Sequence, residues 1–184
     1  MAMTCLSFPQ HGRNGEAAVF HLDVPTHAYD LILARPENHS VTLSALAYQD
    51  LEGLVIFGTQ SGQYPRSTPL RSFKAGQPTN VVLGALDGDA RYFYRFRFRS
   101  PSAGTFEDSP EGSFHTKRKP GSAFTFTLTA DAHLDEHTSA DVYNQALSNI
   151  RDENPDFNID LGNLFMTDKH ATRDEAARQY LAQR

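Results

Sequence analysis

Two short runs in the last third of the chain bring together residue types that bind cations. Thr125-Phe126-Thr127-Leu128-Thr129-Ala130-Asp131-Ala132-His133 reads as a strand ending in a carboxylate and an imidazole two residues apart. Alternation along a strand places both on one side, and a carboxylate oxygen and an imidazole nitrogen together suit one divalent or trivalent ion. By itself Asp-x-His is also what a turn or the start of a helix looks like. Further on, Asp156-Phe157-Asn158-Ile159-Asp160-Leu161-Gly162-Asn163 closes a second β-type run with a glycine-containing loop. A strand, a helix and a strand of this length fit a right-handed parallel crossover. Such a crossover sets the two carboxyl ends side by side on one sheet edge, where ligands gather.

The elements that must position these residues follow the order βαβα. Residues 123–130 are β-rich, 138–154 helical, 157–161 a strand, and 172 onward helical again. The first helix is expected to start at Thr138 as N-cap with Asp141 three residues on. It carries an apolar stripe of Val142, Ala146 and Ile150 flanked by Tyr143 and Leu147, and Asn154-Pro155 stops it. The last helix opens with Thr172 and Glu175 in a capping-box arrangement and places Ala176, Ala177, Tyr180 and Leu181 on adjoining turns. Asp135, Glu136 and His137 read as an outer shell to the site or, more plainly, as acids near a helix start, where the positive end of the dipole favours them. Asp168 and Lys169 read as loop surface, and His21, His27, His39, His115 and His170 as surface imidazoles.

Upstream the pattern is different. Short β-type runs at 29–34, 41–48, 54–59, 80–86, 91–99 and 112–116 are separated by turn residues, a spacing that predicts a β-sandwich. The clearest is Tyr92-Phe93-Tyr94-Arg95-Phe96-Arg97-Phe98-Arg99, with Tyr92, Tyr94, Phe96 and Phe98 on one face and Arg95, Arg97 and Arg99 on the other. The arginine stripe reads either as the solvent side of an antiparallel strand or as a surface that attracts phosphate. Lys117-Arg118-Lys119-Pro120-Gly121 then breaks the pattern as an interdomain linker would. The expected organisation is an N-terminal extension over 1–28, a sandwich over 29–117, a linker over 118–122 and an α/β segment over 123–184.

Charge follows the same division. Residues 1–120 carry 12 Lys and Arg against 11 Asp and Glu, whereas residues 121–184 carry 5 against 11. The net charge of −5 argues against a general nucleic-acid binder, which needs a basic surface to displace counterions. The acids of the second segment are either a solvated face or cation ligands. The single cysteine, Cys5, supports neither an internal disulfide framework nor a cysteine metal cluster. No run approaches the roughly 18 apolar residues of a membrane span, and the first fourteen residues lack the pattern of a secretory signal. No membrane partner is expected, and the compartment stays open.

Two family resemblances join these readings. Leu86-Asp87-Gly88-Asp89-Ala90-Arg91-Tyr92 resembles the leucine, turn and tyrosine of fibronectin type III domains, in which the tyrosine hydroxyl bonds back to nearby backbone at a strand corner. Asp131-Ala132-His133 followed by Asp160-Leu161-Gly162-Asn163-Leu164-Phe165-Met166-Thr167-Asp168 resembles the opening of the calcineurin-like metallophosphoesterases, including purple-acid-phosphatase-like enzymes. Some branches of that family carry a fibronectin-like domain directly before the catalytic one. The resemblance implies a fibronectin-III-like β-sandwich followed by a partial α/β metallophosphoesterase domain. Asp131 and His133 would be ligands of a first metal, and Asn163 would stand where the family has an aspartate bridging to a second.

Iron, zinc or manganese would be the cofactor and a phosphate ester the substrate. Relatives are often exported. An amide at position 163 offsets less cation charge than a carboxylate, and the family's later Gly-Asn-His and Gly-His-x-His segments are not found before Arg184. The expectation is therefore an N-terminal fragment of a phosphoesterase, inactive in isolation. The alternative from another class is a non-catalytic fibronectin-III-like binding module with a degenerate phosphoesterase remnant.

Overall fold

A computed structural model describes residues 26–135, 137–164, 166–168 and 170–183. The expected N-terminal extension up to residue 25, together with Glu136, Phe165 and Lys169, lies outside the described residues. Contacts group His27–Phe124 into one unit and the described residues from Thr125 onward into another.

The first unit has nine strands, the longer of them with period-two alternation. They are β1 (Tyr29–Ala34), β2 (Val41–Ala47), β3 (Leu51–Gly58), β4 (Arg66–Ser67), β5 (Arg71–Phe73), β6 (Thr79–Leu83), β7 (Arg91–Arg99), β8 (Glu107–Asp108) and β9 (Gly112–His115). One antiparallel sheet has the order β1-β2-β6 and the other β4-β3-β7-β8, with β5 also pairing β3 and β9 also pairing β7. Leu31, Leu43 and Val81 from the first sheet and Val55, Tyr92, Tyr94, Phe96 and Phe114 from the second share one buried core. The result is a two-sheet antiparallel β-sandwich around one core. The two-residue strands β4 and β8 and the three-residue β5 have no periodicity of their own to read; they exist because β3 and β7 offer ladder partners.

The expected tyrosine corner is present. The Asp87 N–H donates to the Tyr92 hydroxyl at 2.9 Å, and that hydroxyl donates to Asp87 Oδ2 at 3.2 Å. The inward face of β7 is as expected, but its arginine face is not a free phosphate-attracting surface. Arg97 makes a two-pronged contact with Asp108 at 2.7 and 2.8 Å, Arg99 binds Glu52 at 2.8 Å and lies over the Phe106 ring, and Arg95 donates to the Tyr64 hydroxyl at 2.8 Å. The Arg97 guanidinium holds the Asp108 carboxyl below its usual range. Cross-strand pairing thus matches the charges of Arg97 and Arg99 with carboxylates of neighbouring strands, while Arg95 is held by a neutral hydroxyl.

In the second unit, β10 (Phe126–Thr129) and β11 (Phe157–Asp160) pair in parallel, with Phe126 opposite Phe157 and Thr129 opposite Asp160. Between them runs α1 (Ala140–Asp152), and α2 (Arg173–Gln183) follows. The capping box of α2 is as expected: the Glu175 N–H donates to Thr172 Oγ1, and Glu175 Oε2 accepts from the Thr172 N–H, both at 3.3 Å.

Two expectations need correction. Ser139, not Thr138, caps α1, its hydroxyl accepting from the Val142 N–H. Thr138 is engaged elsewhere, accepting from the Asp135 N–H at 3.0 Å and donating to the His133 carbonyl at 2.8 Å. On α1 only Ala140 is buried; Tyr143, Leu147 and Ile150 are half-buried, while Val142 is 70% exposed and Ala146 exposed, so the expected stripe Val142-Ala146-Ile150 is not the less exposed face. On α2 the buried pair is Ala176 and Gln179; Ala177 and Tyr180 are exposed. Among the described residues no helix is long and apolar enough to cross a membrane.

Candidate functional site

Both strands stop before the residues singled out for chemistry. β10 ends at Thr129 and β11 at Asp160, so Asp131, His133 and Asn163 lie in the loops that leave the sheet edge. Strand alternation is therefore not what aligns Asp131 with His133. Both take left-handed backbone, at φ 62° and 46°, and so does Asn163 at 57°, next to Gly162 at 94°. Left-handed φ is uncommon for residues with a side chain and clusters at functional sites.

Continued cross-loop pairing holds these conformations. The Leu161 N–H reaches the Thr129 carbonyl at 2.8 Å, Asp131 N–H the Gly162 carbonyl at 3.0 Å, His133 N–H the Asn163 carbonyl at 3.3 Å and Leu134 N–H the Leu164 carbonyl at 2.7 Å. Along one face of the strands a polar ladder leads to the same edge. Thr127 donates to Asn158, Asn158 to Thr129 Oγ1, and Thr129 to Asp160 Oδ2 at 3.0 Å, while Asp160 Oδ1 takes the Gly162 N–H at 2.8 Å. Asp160 thus fixes the turn that carries Asn163.

The three side chains meet. Asn163 Nδ2 lies 2.5 Å from Asp131 Oδ1 and 2.7 Å from His133 Nε2, and those two atoms are 2.7 Å apart. Asp131 is 68% and His133 46% exposed, so the cluster opens to solvent. Among the described residues no group of three or more His, Cys, Asp or Glu comes together; the third member here is an amide.

As placed, the amide N–H groups serve the carboxylate and the imidazole. A half-turn of the carboxamide puts Oδ1 in the same position, which makes three lone-pair donors facing one another, an arrangement that is stable with a cation among them. A carboxylate oxygen, an imidazole nitrogen and an amide oxygen fit a hard or borderline metal ion, with one formal negative charge to hold it.

The neighbouring candidates divide. Asp135 is a turn-former, its Oδ1 accepting the His137 N–H at 2.7 Å, and Asp168 is an exposed turn residue. His39 and His115 bond to backbone carbonyls of the sandwich, and His27 to the fully buried Asp30. His170, to which sequence reasoning assigned no role, is half-buried and bonded to Gln179 Oε1 at 3.1 Å. Its one local signal was distance in sequence from Asn163, too weak to separate it from a surface imidazole.

No family model matches this chain. No curated protein matches it either. Similar solved structures include PhoD, at 19% identity and a TM-score of 0.42 over 66% of this chain and 25% of that one. They also include the third fibronectin III domain of human KIAA0343 protein, at 15% identity and a TM-score of 0.34 over 61% of this chain and 98% of that domain. A third is the sensor domain of the anti-sigma factor RsgI4 of Pseudobacteroides cellulosolvens, at 12% identity and a TM-score of 0.38 over 52% of this chain and 79% of that one. The chain spans about a quarter of the length of PhoD. Likeness at these values is coarse and assigns neither activity nor ligand.

Proposed function

We propose that this chain carries the front part of a metal-dependent phosphoesterase of the calcineurin-like type, with Asp131, His133 and Asn163 as ligands of a divalent or trivalent cation. One observation carries the reading: three donor-capable side chains from two adjacent strand ends converge within 2.5 to 2.7 Å, on loops held in left-handed backbone. Left-handed backbone alone does not single out this site, since Arg35, Ala85, Asp89 and Asn154 adopt it too and Asp, His and Asn tolerate it better than most residues. The convergence of the three side chains is what supports the reading. A bound cation in such an enzyme lowers the pKa of a water and stabilises a phosphoryl group in transit. The residues of this chain bind and orient: the carboxylate supplies charge, the imidazole a nitrogen ligand, and Asp160 keeps the Asn163 turn in place through the Gly162 N–H.

Three donors with one negative charge form part of a two-metal site, so phosphate-ester turnover by the 184-residue chain is expected to be very low. The expected result of titration with Mn²⁺ or Zn²⁺ is binding that Asp131→Ala and His133→Ala each abolish. Equal binding by both variants and the unaltered chain would overturn the reading.

A second reading, a non-catalytic module built on the sandwich, draws on one feature of the same cluster. The Asn163 amide already donates to both Asp131 and His133, as a cation would bridge them, so the cluster is also a self-contained staple. Retention of fold with no cation binding at any concentration up to millimolar selects that reading.

A further inference from the structure

Behind the loop that carries His133 lies a carboxamide with no access to solvent. Gln179, on α2, is fully buried, as is Leu134, and Gln179 Nε2 donates to the Leu134 carbonyl at 3.1 Å. The other end of the same amide, Oε1, faces His170 Nε2 at 3.1 Å. A carbonyl can only accept, so Leu134 fixes which way the amide points. Its oxygen must then face His170, and a carboxamide oxygen can only accept, so His170 Nε2 must carry the proton. In the neutral ring this leaves Nδ1 as the lone-pair nitrogen. Gln179 has no solvent-exposed surface.

The Leu134 carbonyl is one residue from His133, whose own carbonyl takes the Thr138 hydroxyl at 2.8 Å. The loop is therefore pinned from both sides: by Thr138 just ahead of α1 and by Gln179 on α2.

We infer that Gln179 is a positioning residue: it couples α2 to the His133 loop and locks His170 as the Nε2–H tautomer, making Nδ1 the atom that His170 offers as a ligand or proton acceptor. The link to cation binding rests on the function proposed above; the tautomer does not. A half-buried imidazole with a fixed tautomer, tied through one amide to the backbone beside a candidate ligand, has the form of an outer-shell contact that orients a site.

The test uses the full 184-residue chain, labelled with ¹⁵N, and long-range proton–nitrogen correlation of the imidazoles at mildly alkaline pH, with His170 assigned by its disappearance in His170→Gln. The expected result is a protonated Nε2 and an unprotonated Nδ1 for His170 in the unaltered chain. Gln179→Leu, close in size, should give mixed tautomers and weaken Zn²⁺ binding by about 10-fold or more, with the thermal transition of the sandwich unchanged. An Nδ1–H tautomer in the unaltered chain overturns the inference and needs no variant to fold. So does a folded Gln179→Leu chain with the original tautomer and Zn²⁺ affinity. If the unaltered chain binds no Zn²⁺, the cation reading falls alone, and the tautomer decides whether Gln179 positions His170.

Discussion

Asn163 Nδ2 lies 2.5 Å from Asp131 Oδ1, across 32 positions of sequence and between the loops of two parallel strands. The contact joins the end of β10 to the end of β11 and sets what substitution at position 163 does. Asn163→Asp replaces a neutral partner of Asp131 with a second carboxylate. Without a cation the two charges repel; with one they hold it more tightly. The expected outcome is at least about a 10-fold tighter Mn²⁺ or Zn²⁺ affinity by calorimetry, together with a lower unfolding temperature of the second unit when a chelator is present. Equal affinity in the two chains would count against position 163 as a ligand.

Tyr92→Phe removes one hydroxyl from the corner of the sandwich. The ring stays stacked on Phe114, 5.6 Å away between centroids, so packing is kept, but the Asp87 N–H loses its acceptor. Chemical denaturation is expected to show a loss of about 1 kcal/mol or somewhat more, with an unchanged dependence on denaturant concentration.

Glu111 gives the sandwich a pH dependence with a definite sign. Its carboxylate accepts from the Ser61 hydroxyl at 2.7 Å, the Tyr64 hydroxyl and the Gly62 N–H at 2.8 Å, and these bonds, that of Ser61 foremost, hold it below the ordinary glutamate value of 4.5. A carboxyl depressed in the folded state stabilises at pH above its unfolded value, and that contribution is lost as pH falls through the folded value. Glu111→Gln should therefore cost up to about 1 kcal/mol at neutral pH, since the group is near solvent. The gap from the unaltered chain should narrow below about pH 4.5 and vanish in stronger acid. A gap that persists there would assign the effect to shape rather than charge.

Gly58→Ala tests the turn that presents those donors. A Cβ at Gly58 would stand 2.2 Å from the Gln63 carbonyl oxygen and 2.7 Å from Pro65, so the backbone of that loop must move. A cost of about 1 to 3 kcal/mol is expected. Ser61, Gly62 and Tyr64 lie in the same loop, so combining Gly58→Ala with Glu111→Gln should cost less than the two singly added, as a double-mutant cycle would show.

Much of this was legible in order along the chain. The strand period of two at Tyr92, Tyr94 and Phe96, the Leu86-to-Tyr92 corner and the reciprocal Thr172–Glu175 cap are all local: each depends on residues within a few positions, and a sequence displays such neighbours directly. The types of Asp131, His133 and Asn163, and the parallel crossover that sets their loops side by side, follow from the same local periods and from the handedness of strand-helix-strand connections.

What tertiary structure decided is of another kind. Arg97 meets Asp108 and Arg99 meets Glu52 because cross-strand register brings them opposite, and that register offsets two of the three charges of a stripe that looked available in the sequence. Thr138 gives up the helix cap to Ser139 because the His133 carbonyl is within reach. Asp131 and His133 face one centre through left-handed backbone held by the neighbouring loop, not through strand alternation. Gln179 finds His170 and Leu134 only once α2 has docked. The physical reason is common to all four: a side chain's type and local period are written in its neighbours, but its hydrogen-bond partner is chosen by whichever distant backbone or side chain the fold brings within about 3 Å.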